Sequence, residues 1–249
     1  VYYLPLKAHL QIRGVLAIQP HQSDWLQLPE HTRLLQTIYS LVSIAIERYY
    51  QFHARIYDAT RWSFLFGRTQ LIKQIARYIH PSRILEIGCG TGKNLAALSE
   101  QFPDAELTGL DLSKEMLERV EKRLSGCGKK AALIHRVYSR TLNPKPSFDL
   151  ILFSYTLSMI NPGYREVIQN ARHDLVPGGV IAVVDFCDSR VAPFESWMKI
   201  NHVRMDGHLL PELVRQFRPV CDEKMTAYGG LWRYFIFIGK KSGRKGGQK

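Results

Sequence analysis

The 249-residue chain contains no run of 18 apolar residues, so no helix is expected to span a membrane. Its four cysteines, Cys89, Cys127, Cys187 and Cys221, are scattered, with no C-x-x-C pair. That spacing argues against a zinc site or a disulfide framework and fits a reducing compartment. The first ten residues, VYYLPLKAHL, lack both an initiator Met and the basic-apolar-small pattern of a secretory signal. The expectation is a cut fragment that works in the cytoplasm, with peripheral contact at the inner membrane. Acidic residues are in short supply, 22 against 34 basic ones, for a net charge of +12. Residues 1–50 carry +1 of this and the remainder +11. The excess suits an anionic partner or plain solubility. No aromatic-basic RNA-recognition signature accompanies it, so a nucleic-acid partner is not expected.

Two patterns meet near residue 50. YYLPLK and RGVLAIQP are short β-forming runs around a break, and Pro29-Glu30 opens a helical pattern running through Leu34, Ile38, Leu41, Ala45 and Tyr49. Two strands and a helix cannot build a sheet domain, so residues 1–50 read as a small β-β-α remnant. From residue 51 to 240 strands and helices alternate. Strands are expected at 83–88, 106–111, 131–137, 149–156, 180–186 and 231–239, and helices at 68–79, 92–101, 113–124, 164–175 and 210–217. Such alternation predicts an α/β fold, a parallel sheet with helices on both faces. Residues 241–249 are expected to be a basic, disordered tail.

The glycines decide the chemistry. In RILEIGCGTGKNL, Gly88, Gly90 and Gly92 alternate after an apolar strand. A dinucleotide G-x-G-x-x-G counted from Gly88 needs glycine at 93, and so does a P-loop; Lys93 stands there, and both fail. What remains is E-x-G-x-G-x-G, with Glu86 ahead of the turn. The next strand ends at Asp111, near the offset of about 20 residues at which such sheets place an acid on ribose hydroxyls. Glu86 would repel phosphate but suits an ammonium group. A molecule with ribose, ammonium and carboxylate is S-adenosylmethionine.

Four stretches in order, ILEIGCGTG, LTGLDLS, FDLILFSYTLSMI and DLVPGGVIAVVDF, resemble the class I S-adenosylmethionine-dependent methyltransferases. The resemblance covers roughly 51–240 and implies a Rossmann-like sheet of seven strands, its last strand antiparallel and formed by YGGLWRYFIFIGKK. It implies that Gly88, Cys89, Gly90, Thr91 and Gly92 face the methionine part of the cofactor, with Glu86 near its amino group. Asp111 would hold the ribose, while Leu112 and Met116 would pack near the adenine. Many members read the adenine with an Asp after the third strand of the sheet. Here HRVYSRTL stands instead, and Tyr138, Ser139 or Thr141 is expected to substitute. Ser154 and Arg68 complete the expected cofactor set. No metal is implied, because the sulfonium methyl is already activated.

For the acceptor, Tyr57-Asp58, Gly67-Arg68, Ser154-Tyr155 with LSMI, and the YGG at 228–230 resemble the N-methyltransferases that complete betaine lipids. This implies a lipid head-group amine, diacylglycerylhomoserine, as substrate. Tyr155, Tyr57 and His202 are the expected catalytic residues, with His208 a second candidate proton acceptor. Tyr57, Trp62, Tyr155, Tyr228 and Trp232 are candidate walls of a cage for a methylated ammonium. FESWMKINHVRM is a candidate interfacial lid on an anionic membrane. The alternatives are a phosphatidylethanolamine or other small-molecule methyltransferase, an RNA or protein methyltransferase, and a non-catalytic cofactor-binding module. Residues 1–50 resemble the end of a GAF domain in osmosensing potassium-transport sensor kinases, on YLPLKA, RGVLAIQP, LPEHTRLL and SIAIERYY.

Overall fold

A computed structural model of the chain describes residues 2–8, 11–18, 64–200 and 202–242. The boundary expected near residue 50, the helix opening at Pro29, Tyr57, Trp62 and the tail from residue 243 lie outside the described residues. The chain divides into two compact units, residues 1–64 and 65–249. In the first, β1 (Tyr2–Ala8) pairs antiparallel with β2 (Gln11–Ile18), with a register shift between Leu6 and Lys7.

The second unit opens with α1 (Arg68–Ile75), β3 (Arg83–Ile87), α2 (Lys93–Gln101), β4 (Glu106–Asp111), α3 (Lys114–Gly126) and β5 (Ala132–His135). It continues with β6 (Phe148–Ser154), α4 (Tyr164–Asp174), β7 (Leu175–Asp188), α5 (Ala192–Ile200), α6 (Leu209–Gln216), β8 (Arg218–Ala227) and β9 (Trp232–Lys240). The seven strands lie in the order β5-β4-β3-β6-β7-β9-β8. β3 pairs parallel with β4 and β6, and β6 with β7; β9 runs antiparallel between β7 and β8. This is the expected Rossmann-like methyltransferase sheet, final antiparallel strand included.

Burial explains which strands were legible. β3, β6 and β7 are covered on both faces, so they read as continuous apolar runs; Ile84, Leu85, Leu150, Ile151, Phe153, Ile181 and Val183 are all fully buried. β8 escaped prediction because it is an edge strand, exposed at Arg218, Pro219, Asp222, Glu223 and Lys224. Charges on an edge discourage pairing with another chain. β7 also begins five residues earlier than expected: Leu175 follows α4 directly and pairs with Phe148, and the register shifts before Leu150 meets Val180.

One polar knot closes the end of α4. Asp174, fully buried, accepts from the Tyr138 hydroxyl and the Leu142 backbone N–H, both at 2.8 Å. Burial, reinforced by the Asp174 charge, pushes the Tyr138 phenol far above its usual range. The knot fastens the segment after β5 to the core. Replacing Asp174 with Ala would strand a buried hydroxyl and a backbone N–H, and a loss of about 2–5 kcal/mol is expected from such groups. Tyr138→Phe, which deletes one bond and leaves the Leu142 contact intact, should lose only about 1 kcal/mol. Urea denaturation of the two variants tests the ranking.

Candidate functional site

Open α/β sheets bind ligands beyond the carboxyl ends of their parallel strands. Here the turn after β3 is folded back onto β4: the N–H groups of Gly88 and Cys89 both donate to the Leu110 carbonyl, at 2.8 and 3.1 Å. Gly88, Gly90 and Gly92 have φ of 72°, 53° and 76°, left-handed values that favour glycine. What lies against each differs. A side chain on Gly88 would come within 2.6 Å of the Thr156 hydroxyl, and one on Gly92 within 3.0 Å of Val120. One on Gly90 would meet nothing within 4 Å. Two glycines therefore make room for the protein's own side chains, and the middle one faces open space.

Around that space stand two acids. Asp111 ends β4 and accepts from the Gly90 N–H at 2.8 Å and the Ser113 N–H at 3.0 Å, which fixes the plane of its carboxylate. Ser113 caps α3 by accepting from the Met116 N–H at 3.2 Å, and Met116 is buried beneath this corner. Glu86 is 1% exposed. Its Oε1 accepts from the Asn94 amide at 2.7 Å, while its Oε2 is buried with no hydrogen-bond partner among the described residues. Burial pushes its carboxyl up to about 8, against the opposing pull of the Asn94 bond and the Arg68 charge; the nearby Asp111 charge adds to the rise. Either protonation state leaves Oε2 with unmet bonding capacity, a feature native interiors avoid unless a ligand or water supplies the partner.

The remaining expected cofactor residues are less alike. Cys89 is buried, and burial raises its thiol far above the ordinary range, so it packs rather than reacts. Thr91 is buried, and its carbonyl accepts from the Arg123 guanidinium at 2.8 Å. Leu112 is half-buried, its carbonyl 2.9 Å from His135 Nε2. Ser154 is half-buried at the end of β6, and Ser139 is exposed. Arg68 is half-buried at the start of α1, where its Nε donates to the Leu65 carbonyl at 3.2 Å and its charge reaches Glu86 and Tyr155. Tyr138 departs from expectation: its hydroxyl is held by Asp174 in the core and is not presented to a ligand.

Two expected catalytic residues are also placed differently. Tyr155 is 2% exposed, with φ 54°, and its hydroxyl donates to the Phe66 carbonyl at 2.8 Å while its ring packs edge-on against Phe186 at 4.7 Å. Its proton is thus engaged in pinning the segment before α1, and burial raises the phenol well above its usual range. His202 is exposed on the turn after α5, with φ 62°. His208 has the more built environment: Nδ1 meets Asp206, the ring lies edge-on to Tyr164 at 4.6 Å, and burial lowers its affinity for a proton. Of the expected cage, Trp232 is fully buried and touches Tyr228 at 5.1 Å, Phe66 at 6.1 Å and Phe194 at 5.1 Å between centroids. These rings form a continuous aromatic layer, and Tyr155 is tied to it through the Phe66 carbonyl.

Sequence reasoning missed Asn94, Thr156 and Asp185. Asn94 could have been found, since it sits in the first turn of α2 where a polar side chain can reach back over the glycines. The other two act across strands and left no local pattern.

The different surroundings of the glycines yield a direct expectation. Gly90→Ala carries only left-handed strain, about 1–2 kcal/mol. Gly88→Ala adds to this the displacement of Thr156, about 1–3 kcal/mol more. Thermal melting of the ligand-free variants should rank Gly88→Ala below Gly90→Ala.

Residues 85–181 match the family described as Methyltransferase domain. Over 103 residues the chain is 32% identical to a trans-aconitate 2-methyltransferase of Methylobacterium nodulans, covering 41% of this chain and 38% of that one. A trans-aconitate 2-methyltransferase of an Acidovorax species is 35% identical over 114 residues, covering 45% and 42%. The chain thus spans about two fifths of the length of the curated relatives it matches. Among solved structures, the N-methyltransferase NodS of Bradyrhizobium japonicum, in complex with S-adenosyl-L-homocysteine, superposes with a TM-score of 0.59 at 20% identity, over 70% of this chain and 85% of that one. The [4+2]-cyclase SpnF superposes with a TM-score of 0.60 at 15% identity, over 70% and 81%. The sheet order and the glycine turn agree with the methyltransferase-domain match over residues 85–181 and with the fold of these solved neighbours.

Proposed function

We propose that the chain transfers a methyl group from S-adenosylmethionine to a small-molecule acceptor. The observation that carries this reading is the glycine turn itself, with open space over Gly90, Asp111 bonded to the Gly90 N–H, and a buried, partnerless oxygen on Glu86 in the strand that leads into the turn. The residues fit the cofactor. Glu86 Oε2 would accept from its ammonium, and the turn from Gly88 to Gly92 would admit its methionine portion close to backbone. A carboxylate offers about four acceptor sites, so Asp111 can hold the Gly90 and Ser113 N–H groups and also receive ribose hydroxyls. Met116 and Leu112 would supply apolar contact for the adenine. When bound, the cofactor provides a methyl already activated on a sulfonium. The protein's part is then to align the acceptor and exclude water, and alignment alone can supply most of such an acceleration.

The similarity to trans-aconitate 2-methyltransferases supports a small acceptor. A second reading, a lipid head-group amine such as diacylglycerylhomoserine, draws support from α5. Val191, just before the helix, and Trp197 and Ile200 within it are 38%, 49% and 76% exposed, with exposed Arg190 and Lys199 beside them. An apolar stripe flanked by cations suits an anionic bilayer surface. Transfer of labelled methyl should appear with trans-aconitate or related small acids and amines. If label instead enters only diacylglycerylhomoserine in a lipid extract, the second reading replaces the first; transfer only to tRNA or protein removes both.

Glu86 makes cofactor uptake pH-dependent. With its carboxyl at about 8 in the free protein, it is mostly protonated at neutral pH. An arriving ammonium favours the ionised form and lowers that value, so binding expels a proton and affinity rises with pH up to about 8. Calorimetry in buffers of different ionisation enthalpy should record release approaching one proton near pH 7. Glu86→Gln should abolish that release.

A further inference from the structure

Asp185 is a carboxylate buried with no ion-pair partner among the described residues. It lies near the end of β7, fully buried, and its carboxylate accepts two backbone N–H groups: that of Phe186 at 2.8 Å and that of Ser158 at 3.1 Å. Ser158 belongs to the single 3-10 turn Leu157–Met159 after β6, whose own N-cap residue, Thr156, makes no side-chain capping bond. Asp185 supplies that cap from the neighbouring strand.

The capped turn is where three parts of the unit meet. Thr156, just ahead of it, is the side chain that fills the place of a Gly88 side chain, and its hydroxyl lies 3.2 Å from the Ile87 carbonyl. Tyr155 enters it with a left-handed φ and ties the Phe66 carbonyl. On the other side, the Ser158 carbonyl accepts from the Arg204 N–H at 2.9 Å, which attaches the loop between α5 and α6. We propose that Asp185 is a positioning residue for cofactor binding: by capping the turn after β6 it holds Thr156 against Gly88 and so fixes the shape of the glycine turn. This rests on the cofactor reading given above.

A carboxylate suits this position because both of its oxygens accept N–H groups, which offsets the cost of burying the charge. Burial pushes the Asp185 carboxyl up to about 6, yet it stays largely ionised at neutral pH. An ionised acceptor holds an N–H group about twice as strongly as a neutral one. The charge therefore gives a stiffer turn.

Asp185→Asn keeps the shape but sets an NH2 group against one of the two N–H donors, so a lower melting temperature is expected. Titrated with S-adenosylhomocysteine at pH 7.5, the folded variant should also bind at least fivefold more weakly than wild type. Thr156→Ala, which removes the transmitting side chain, should weaken binding similarly, and the double variant should bind no worse than the weaker single one. Equal affinity of wild type and Asp185→Asn overturns the proposal. So does a lower melting temperature with undiminished affinity. Should Asp185→Asn fail to fold, undiminished affinity of Thr156→Ala overturns it, and a fivefold loss there with an unchanged melting temperature upholds it. If wild type itself takes up no S-adenosylhomocysteine, the cofactor reading falls and this one with it.

Discussion

The approach of Thr156 to Gly88 constrains most of what surrounds it. No other residue than glycine leaves room for that hydroxyl at 2.6 Å from an added Cβ, and the contact joins the ends of β3 and β6. With β6 docked this way, Gly88 and Cys89 can turn their N–H groups onto Leu110, which brings β4 and Asp111 into range of Gly90. The same docking leaves Gly90 as the outward-facing member of the three. A turn with a left-handed glycine at every second position has little stiffness of its own, because glycine gives up the most conformational entropy on ordering. Its shape must therefore be imposed by neighbours, and Thr156 on one side and Val120 on the other do so.

Two buried acids of contrasting surroundings stand on either side of this contact. Glu86 has one donor and an orphan oxygen; Asp185 has a backbone N–H on each oxygen. The difference explains why burial raises the first to about 8 and the second only to about 6. A group with unmet capacity awaits a partner from outside the chain, whereas a satisfied one organises the chain itself. Interiors tolerate few charges of either kind, and a site that uses both concentrates the cost where binding occurs.

How much of this was legible depended on sequence distance. Glu86, the three glycines and Asp111 were readable because a strand, a turn and the next strand place them together whatever the rest of the chain does. β8 was missed because half its side chains face water and its register is set by β9, not by an apolar run. Tyr138 was misplaced because its partner, Asp174, is 36 residues away on a helix whose end no local pattern ties to the segment after β5. Tyr155 was expected inside a strand at 149–156 but follows the strand's end at Ser154, and the Phe66 carbonyl that takes its hydroxyl is 89 residues back. Asp185 looked like one polar residue ending an apolar strand; only the adjacent turn shows what it holds.

The position of β9 has a consequence for the order in which the molecule can be made. Although it follows β8 in the chain, it lies between β7 and β8 and hydrogen-bonds to both. On a ribosome, β3 through β7 can pair as they emerge, whereas β8 has no neighbour until Trp232–Lys240 has been synthesised. During that interval the edge of β7 is open and almost wholly apolar, from Val180 to Cys187. Exposed apolar edges recruit other chains, so this is the interval in which the nascent sheet is most open to wrong pairing. The charged face of β8 can end that period only after the last strand of the sheet has arrived.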